Sequence, residues 1–281
     1  MYFTFLLIFL GVPISLLLIG NWWDRRKRRD LPASFRNISP WKALWLHVIL
    51  AVLYTTPWDN YLVASGVWYY DPNLVTGSTI GWVPVEEYTF FVVQTILSGL
   101  WLLWLLRRRS FPIQEVPGGR EIRVWSTIAF GMSWLASLLL LTSGWLPGRY
   151  LSLILVWALP PVMLQLFFGA DLLWRYRSLV LPGVLAPTLY LGISDSLAIS
   201  SGTWVIAPHQ SLRILVAGVL PLEELIFFLV TNMLVVFGMT LVLSRESRKR
   251  AREWFERLSR PTQKQKIPPL ERPWQGQNAP D

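Results

Sequence analysis

The sequence predicts an all-α integral membrane protein of about seven transmembrane helices, arranged as two parallel three-helix repeats joined by one linker helix. Three observations predict it. Of 281 residues, 53% are hydrophobic and only 15% charged, too little charge to cover a soluble domain of this size. Several apolar runs are longer than the roughly 18 residues that cross about 30 Å of hydrocarbon as a helix. Finally, a pattern of acidic and aromatic residues in the first third of the chain returns in the last third.

Apolar runs lie near 2–21, 41–57, 80–106, 122–143, 150–173, 178–196 and 211–243. The first, MYFTFLLIFLGVPISLLLIG, has neither a basic leader nor an A-x-A cleavage site, and reads as a retained helix starting outside. Basic clusters follow the first, third, fifth and seventh runs, among them Arg25-Arg26-Lys27-Arg28-Arg29 and Arg107-Arg108-Arg109. The stretches 59–79 and 197–210 contain no Lys or Arg. The amino end is therefore expected outside and the carboxyl end in the cytoplasm. The seventeen Trp residues suit the two membrane–water interfaces. From about 244 a basic helix-like piece leads into a polar tail expected to be disordered.

The net charge of +9 sits in these flanking clusters. It reads as a topological signal with affinity for anionic lipid headgroups, not as a nucleic-acid surface. With no Cys and two His, disulfides are excluded and a zinc or di-iron centre lacks ligands. No glycine fingerprint for a nucleotide or flavin is present.

The internal match is specific in spacing. Asp59-Asn60, Ser65-Gly66-x-Trp68 and Pro84-x-Glu86-Glu87 correspond to Asp195-Ser196, Ser201-Gly202-x-Trp204 and Pro221-x-Glu223-Glu224. The two aspartates stand 136 residues apart, and the first copy's cytoplasmic loop is some twelve residues longer. Three helices per copy would invert the second copy, and the unmatched fourth run restores its orientation. The expected units are 1–109, the first repeat; 110–146, the linker helix; 147–243, the second repeat; and 244–281, the tail.

Two carboxyl pairs inside apolar helices call for a cavity or a partner. Pro84 and Pro221 suit a first helical turn. The helix dipole there favours the carboxylate, burial favours the neutral acid, and a like-charged neighbour adds to the conflict, so shared protons are expected. Four-residue spacing sets Glu86 over Phe90, Glu87 over Phe91, Glu223 over Phe227 and Glu224 over Phe228. An acid beside an aromatic face suits protonation of an alkene, the ring steadying the cation. The plainer reading makes the Phe pairs filler and the Glu residues structural. Two matched pairs favour function. Asp59 and Asp195 end their runs and read as interfacial caps or as supports that orient the Glu pairs. Trp68 and Trp204 read as interface anchors or as site lining. His47 reads as a hydrogen-bonded packing residue, and Asn232 as a partner of Glu224 or a packing group.

The tandem P-x-E-E-x-x-F-F motifs, each preceded by Asp and a Gly-x-Trp loop, resemble the membrane-integral lycopene cyclases of carotenoid synthesis. The likeness covers roughly residues 1–243. In that family two three-helix subunits pair as a heterodimer or are fused, and this chain resembles the fused form. The resemblance implies redox-neutral cyclisation of the linear ends of lycopene to β-rings, giving γ-carotene and then β-carotene, without a cofactor. It implies Glu86, Glu87, Glu223 and Glu224 as the catalytic set, a linear carotenoid as substrate, and other enzymes of the pathway as partners. It also implies a multi-pass protein of a prokaryotic cell membrane. Relatives that act on C50 carotenoids or stop at one ring share the motifs. A proton-coupled carrier with the Glu pairs as relay is the rival from another class, though carriers usually combine broken helices with inverted repeats.

Overall fold

In a computed structural model, which describes residues 2–109, 118–202 and 204–259, α1 (Tyr2–Leu6) runs through one π-helical turn (Leu7–Gly11) into α2 (Val12–Arg26). Long helices follow: α3 (Pro40–Ala64), α4 (Val85–Arg108), α5 (Gly119–Thr142), α6 (Arg149–Arg175), α7 (Arg177–Ser200) and α8 (Leu222–Leu243). Basic α9 (Arg245–Ser259) ends the described chain. Six of these segments are long and apolar enough to cross a membrane: Tyr2–Arg26, Val85–Arg108, Gly119–Thr142, Leu146–Arg175, Arg177–Ser200 and Leu222–Leu243. The protein is thus a mainly α-helical membrane protein. Helix α3 has the length but carries Pro57, Asp59 and Asn60 among its apolar residues. The expected tail beyond residue 259, the start of the linker unit and Thr203 lie outside the described residues.

Helices α4 and α8, which carry the Glu pairs, are central. Helix α4 packs on α2, α3, α7 and α8, and α8 packs on α3, α6 and α7 as well. Helix α5 packs chiefly on α6 and is largely exposed along its length. One cluster of buried side chains surrounds Leu44, Leu102, Leu172 and Val236; a second surrounds Leu62, Phe91, Ile154 and Phe228.

Proline organises several contacts between helices. Pro13 and Pro161 have no N–H to offer the carbonyl four residues earlier. Those carbonyls, of Phe9 and Trp157, instead accept the Tyr190 and Tyr54 hydroxyls at 2.7 and 2.8 Å. Pro160 likewise leaves the Val156 carbonyl to the Trp134 indole N–H at 3.1 Å.

The expected runs 80–106 and 211–243 do not begin as helix. Two short antiparallel hairpins precede α4 and α8: β2 (Thr79–Ile80) with β3 (Val83–Pro84), and β5 (Leu215–Val216) with β6 (Leu220–Pro221). Proline pushes the position before it toward extended backbone, and Gly81 turns at φ +67°, where a side chain would strike Asn60. Pro84 and Pro221 consequently sit at the N-caps, not within the first turn. Conversely, the runs 41–57 and 178–196 are too short, because α3 and α7 continue to Ala64 and Ser200. Beyond them, β1 (Trp68–Tyr70) pairs antiparallel with β4 (Trp204–Ile206), Tyr69 opposite Val205, Trp68 opposite Ile206 and Tyr70 opposite Trp204.

Candidate active site

The first and second glutamates of each motif have different surroundings. Glu86, 1% exposed, accepts the Thr76 backbone N–H at 2.6 Å. Glu223, fully buried, accepts the Leu212 N–H at 2.7 Å and the Ser211 hydroxyl at 3.0 Å. Both therefore tie a connecting loop to the start of a helix. Glu87 and Glu224 point the other way. Each accepts a tyrosine hydroxyl at 2.6 Å, from Tyr2 and Tyr150.

Glu87 and Glu224 meet in one small cavity, lined also by Tyr2, Trp68, Tyr70, Phe90, Asp195, Trp204, Phe227 and Phe228. The paired strands β1 and β4 contribute Trp68, Tyr70 and Trp204 to it. Glu86, Glu223 and Phe91 are not among its lining. Position within the first turn explains this, since a residue there has no preceding helical turn to lie against and is free to reach back to a loop. The four-residue stacking of Glu87 on Phe91 does not define the site: Phe91 lines a neighbouring hollow.

Asp59 and Asp195 are not interfacial caps. They are 0% and 3% exposed, inside α3 and α7, because both helices continue beyond them. Asp59 lies beside the Trp68 indole and near Glu87, and Asp195 beside the Trp204 indole and near Glu224 and Glu87. Neither Asp59 oxygen, nor Asp195 Oδ2, has a hydrogen-bond partner among the described residues. A buried carboxyl without partners costs several kcal/mol unless it holds a proton or shares one. Three carboxyls, Glu87, Asp195 and Glu224, thus line one small cavity, and a fourth, Asp59, lies near Glu87.

Trp68 and Trp204 line the cavity instead of anchoring an interface. Asn232 does not reach Glu224; it accepts the Ser98 hydroxyl and donates to Thr188 Oγ1 at 3.1 Å and the Phe228 carbonyl at 2.8 Å. His47 bonds the Ala43 carbonyl at 2.8 Å through Nδ1, a packing role. Asn60 clasps the first hairpin, accepting the Trp82 N–H at 2.8 Å and donating to the Tyr88 hydroxyl at 2.9 Å.

Sequence reasoning missed Tyr2, Tyr70 and Tyr150. A signal was present: Tyr2 and Tyr150 stand 148 residues apart, the repeat spacing plus the loop difference. Burial and the nearby Glu87 charge push the Tyr70 phenol well above its usual range, so it remains a proton-bearing donor beside the carboxyls. No three or more His, Cys, Asp or Glu side chains are placed so that they could hold a metal ion among the described residues.

No family model matches the chain, and neither does any solved structure. Among curated proteins, the lycopene beta-cyclase of Halobacterium salinarum is 35% identical over 245 residues, spanning 85% of this chain and 94% of that protein. The bifunctional lycopene cyclase/phytoene synthase of Podospora anserina is 35% identical over 205 residues, 69% of this chain and 34% of the larger protein. That of Sporisorium reilianum is 37% identical over 196 residues, 67% of this chain and 28% of its own length. Likeness of this extent, across nearly the whole archaeal protein, places the chain in the lycopene β-cyclase family.

Proposed function

We propose that the protein is a lycopene β-cyclase, closing the linear ends of lycopene to β-rings without net oxidation or reduction. The observation that carries this reading is the convergence of Glu87 and Glu224, from opposite halves of the chain, in one aromatic-walled cavity. The protonated one of these two acids gives its proton to the terminal alkene, forming a tertiary cation. The neighbouring double bond attacks that cation, closing the six-membered ring and moving the charge to the next tertiary carbon. A carboxylate of the site removes a ring proton, so the acid is restored. Trp68, Trp204, Phe90, Phe227 and Phe228 present ring faces and edges to the passing charge. Tyr2 and Tyr150 orient the acids. Asp59 and Asp195 hold the shared protons close by, while Glu86 and Glu223 keep the loops closed over the cavity.

The architecture proposed with it is two parallel three-helix repeats, residues 1–109 and 147–243, with α5 as the linker and seven crossings once α3 is included. Its support is the β1–β4 register: Tyr69 and Val205, opposite one another, are 136 residues apart in sequence. Equivalent positions therefore face across a local two-fold axis. The reading has the amino end outside and α9 in the cytoplasm of a prokaryotic cell, and the Arg and Lys clusters support that orientation. Neighbouring enzymes of carotenoid synthesis are natural partners, since relatives join a phytoene synthase in one chain.

Expression in a bacterial host that accumulates lycopene tests the function. The wild type should convert red carotene to orange-yellow β-ring product, and Glu87→Gln and Glu224→Gln should abolish it with the protein still in the membrane. Growth in heavy water should place deuterium in the new ring, and an unlabelled ring would exclude proton transfer from the enzyme.

A further inference from the structure

Two hollows open toward lipid on either side of the carboxyl cavity. One, about 350 Å³, lies between α3, α6 and α8 and is bordered also by α4 at Phe91, Gln94 and Thr95, with Ala51, Tyr54, Trp157, Leu164 and Phe227 in its walls. The other, about 370 Å³, lies between α2, α4 and α7 and includes Leu16, Ala186, Pro187 and Tyr190. They occupy matching places. Tyr54 and Tyr190 stand 136 residues apart, and Leu16 and Leu164 stand 148 apart.

Their connections to the chemistry differ. Phe227 lines both the α3–α6–α8 hollow and the carboxyl cavity, whereas no residue lines both the other hollow and that cavity. A column of stacked rings also leads inward on one side only. Tyr54 stacks on Trp157 (5.7 Å between centroids, 23° between planes), Trp157 on Trp58 (4.4 Å, 17°) and Trp58 on Phe227 (5.8 Å, 8°). The matching positions on the other side are Tyr190, Phe9, Ser194 and Phe90, and Ser194 interrupts the column.

This difference matters because lipid tails are as apolar as leucine, so an apolar hollow alone gives a hydrocarbon no reason to leave them. A flat column of rings does, for a flat conjugated chain. We infer that the polyene of the substrate lies in the α3–α6–α8 hollow against Tyr54 and Trp157, which Trp58 backs, with the reacting end beyond Phe227. The α2–α4–α7 hollow does not hold it. The inference rests on the proposed cyclase function and adds where, and from which side, the carotenoid enters. The hollow runs along nine residues of α8, from Phe227 to Val235, or about 12 Å of helix. The rest of the carotenoid passes out over Leu164, 69% exposed, into the acyl chains.

The test compares substitutions across the two hollows in the lycopene-accumulating host, normalised to membrane-inserted protein. Ala51→Trp should lower ring formation at least tenfold, and Ala186→Trp should change it less than twofold. A benzophenone amino acid at Leu164 should photocrosslink the carotenoid, whereas one at Leu16, equally open to lipid, should not; this arm needs no added bulk inside the bundle. Equal crosslinking from both sites, equal losses from both tryptophans, or a larger loss from Ala186→Trp overturns the assignment while the cyclase reading stands. A wild type that forms no ring removes the cyclase reading and this inference with it.

Discussion

The Tyr150 hydroxyl donates to Glu224 at 2.6 Å, across 74 residues of sequence, and Tyr2 makes the same bond to Glu87. Each bond aims a carboxyl into the shared cavity, and Tyr70 is a second donor beside Glu87. Tyr2→Phe and Tyr150→Phe should each slow ring closure by about 10- to 100-fold, the equivalent of about 1.5–3 kcal/mol for a bond to a charged group. Initial rates in membranes check this.

The first glutamate of each motif should respond differently. Gln at position 86 or 223 keeps a carbonyl to accept the loop N–H, so Glu86→Gln and Glu223→Gln should retain cyclisation and lose about 1 kcal/mol of stability, charge-assisted bonds being about twice as strong as neutral ones. Alanine leaves the Thr76 or Leu212 N–H without its acceptor and should cost about 1–3 kcal/mol. Thermal unfolding in detergent, set beside activity, separates this pattern from the outright loss expected of Glu87→Gln.

Packing at the centre of the bundle gives an independent test. A methyl group at Gly238 would run into His47 Nε2 and crowd Gln165 Nε2, so both side chains would be pushed toward the hollow they line and off their bonds to the Ala43 and Leu234 carbonyls. Gly238→Ala should lower stability by about 1–3 kcal/mol through overpacking, measurable as a fall in unfolding temperature.

At the basic end of the bundle, Arg250 of α9 grips Asp171 with two bonds of 2.6 and 2.8 Å, and also donates to the Phe168 carbonyl. Arg250→Met should loosen α9 at a cost of about 1–3 kcal/mol. That is below the 3–5 kcal/mol of a fully buried broken pair, because Arg123 still holds Asp171 at 3.3 Å. Limited proteolysis of α9, faster in the variant, reads this out.

One acid centre serving a two-ended substrate should release a one-ring carotene first. Lycopene is about as long as the roughly 30 Å hydrocarbon slab is thick, so the second end reaches the acids only after the molecule leaves and turns. Time courses should show one-ring product rising before two-ring product; simultaneous appearance of two rings with no lag would contradict a single centre.

Much of this arrangement was legible in the sequence. Hydropathy found the helices, and the matched Asp, Gly-x-Trp and P-x-E-E positions found residues that meet, Glu87 with Glu224 and Trp68 with Trp204 among them. The division of labour within each pair was not legible, because it depends on which side of a first turn faces a loop. Helical spacing cannot say that of Glu86. The hairpins at Gly81 and Gly218 were hidden inside apolar runs, since hydropathy measures transfer from water and not backbone direction. Tyr2 and Tyr150 passed as apolar filler because nothing local distinguishes a buried phenol that aims an acid from one that fills space.

The prolines of α2 and α6 carry a consequence for engineering. Replacing Pro161 with alanine would add a rung to the ladder of α6, beside the one Pro160 leaves open, and improve that helix taken alone. It would also set a new amide against the Tyr54 hydroxyl for the oxygen of Trp157, at the spot where α3 is fastened to its neighbour. Straightening the rod would slacken the joint, so a repair made to one part would be felt as play in the whole frame.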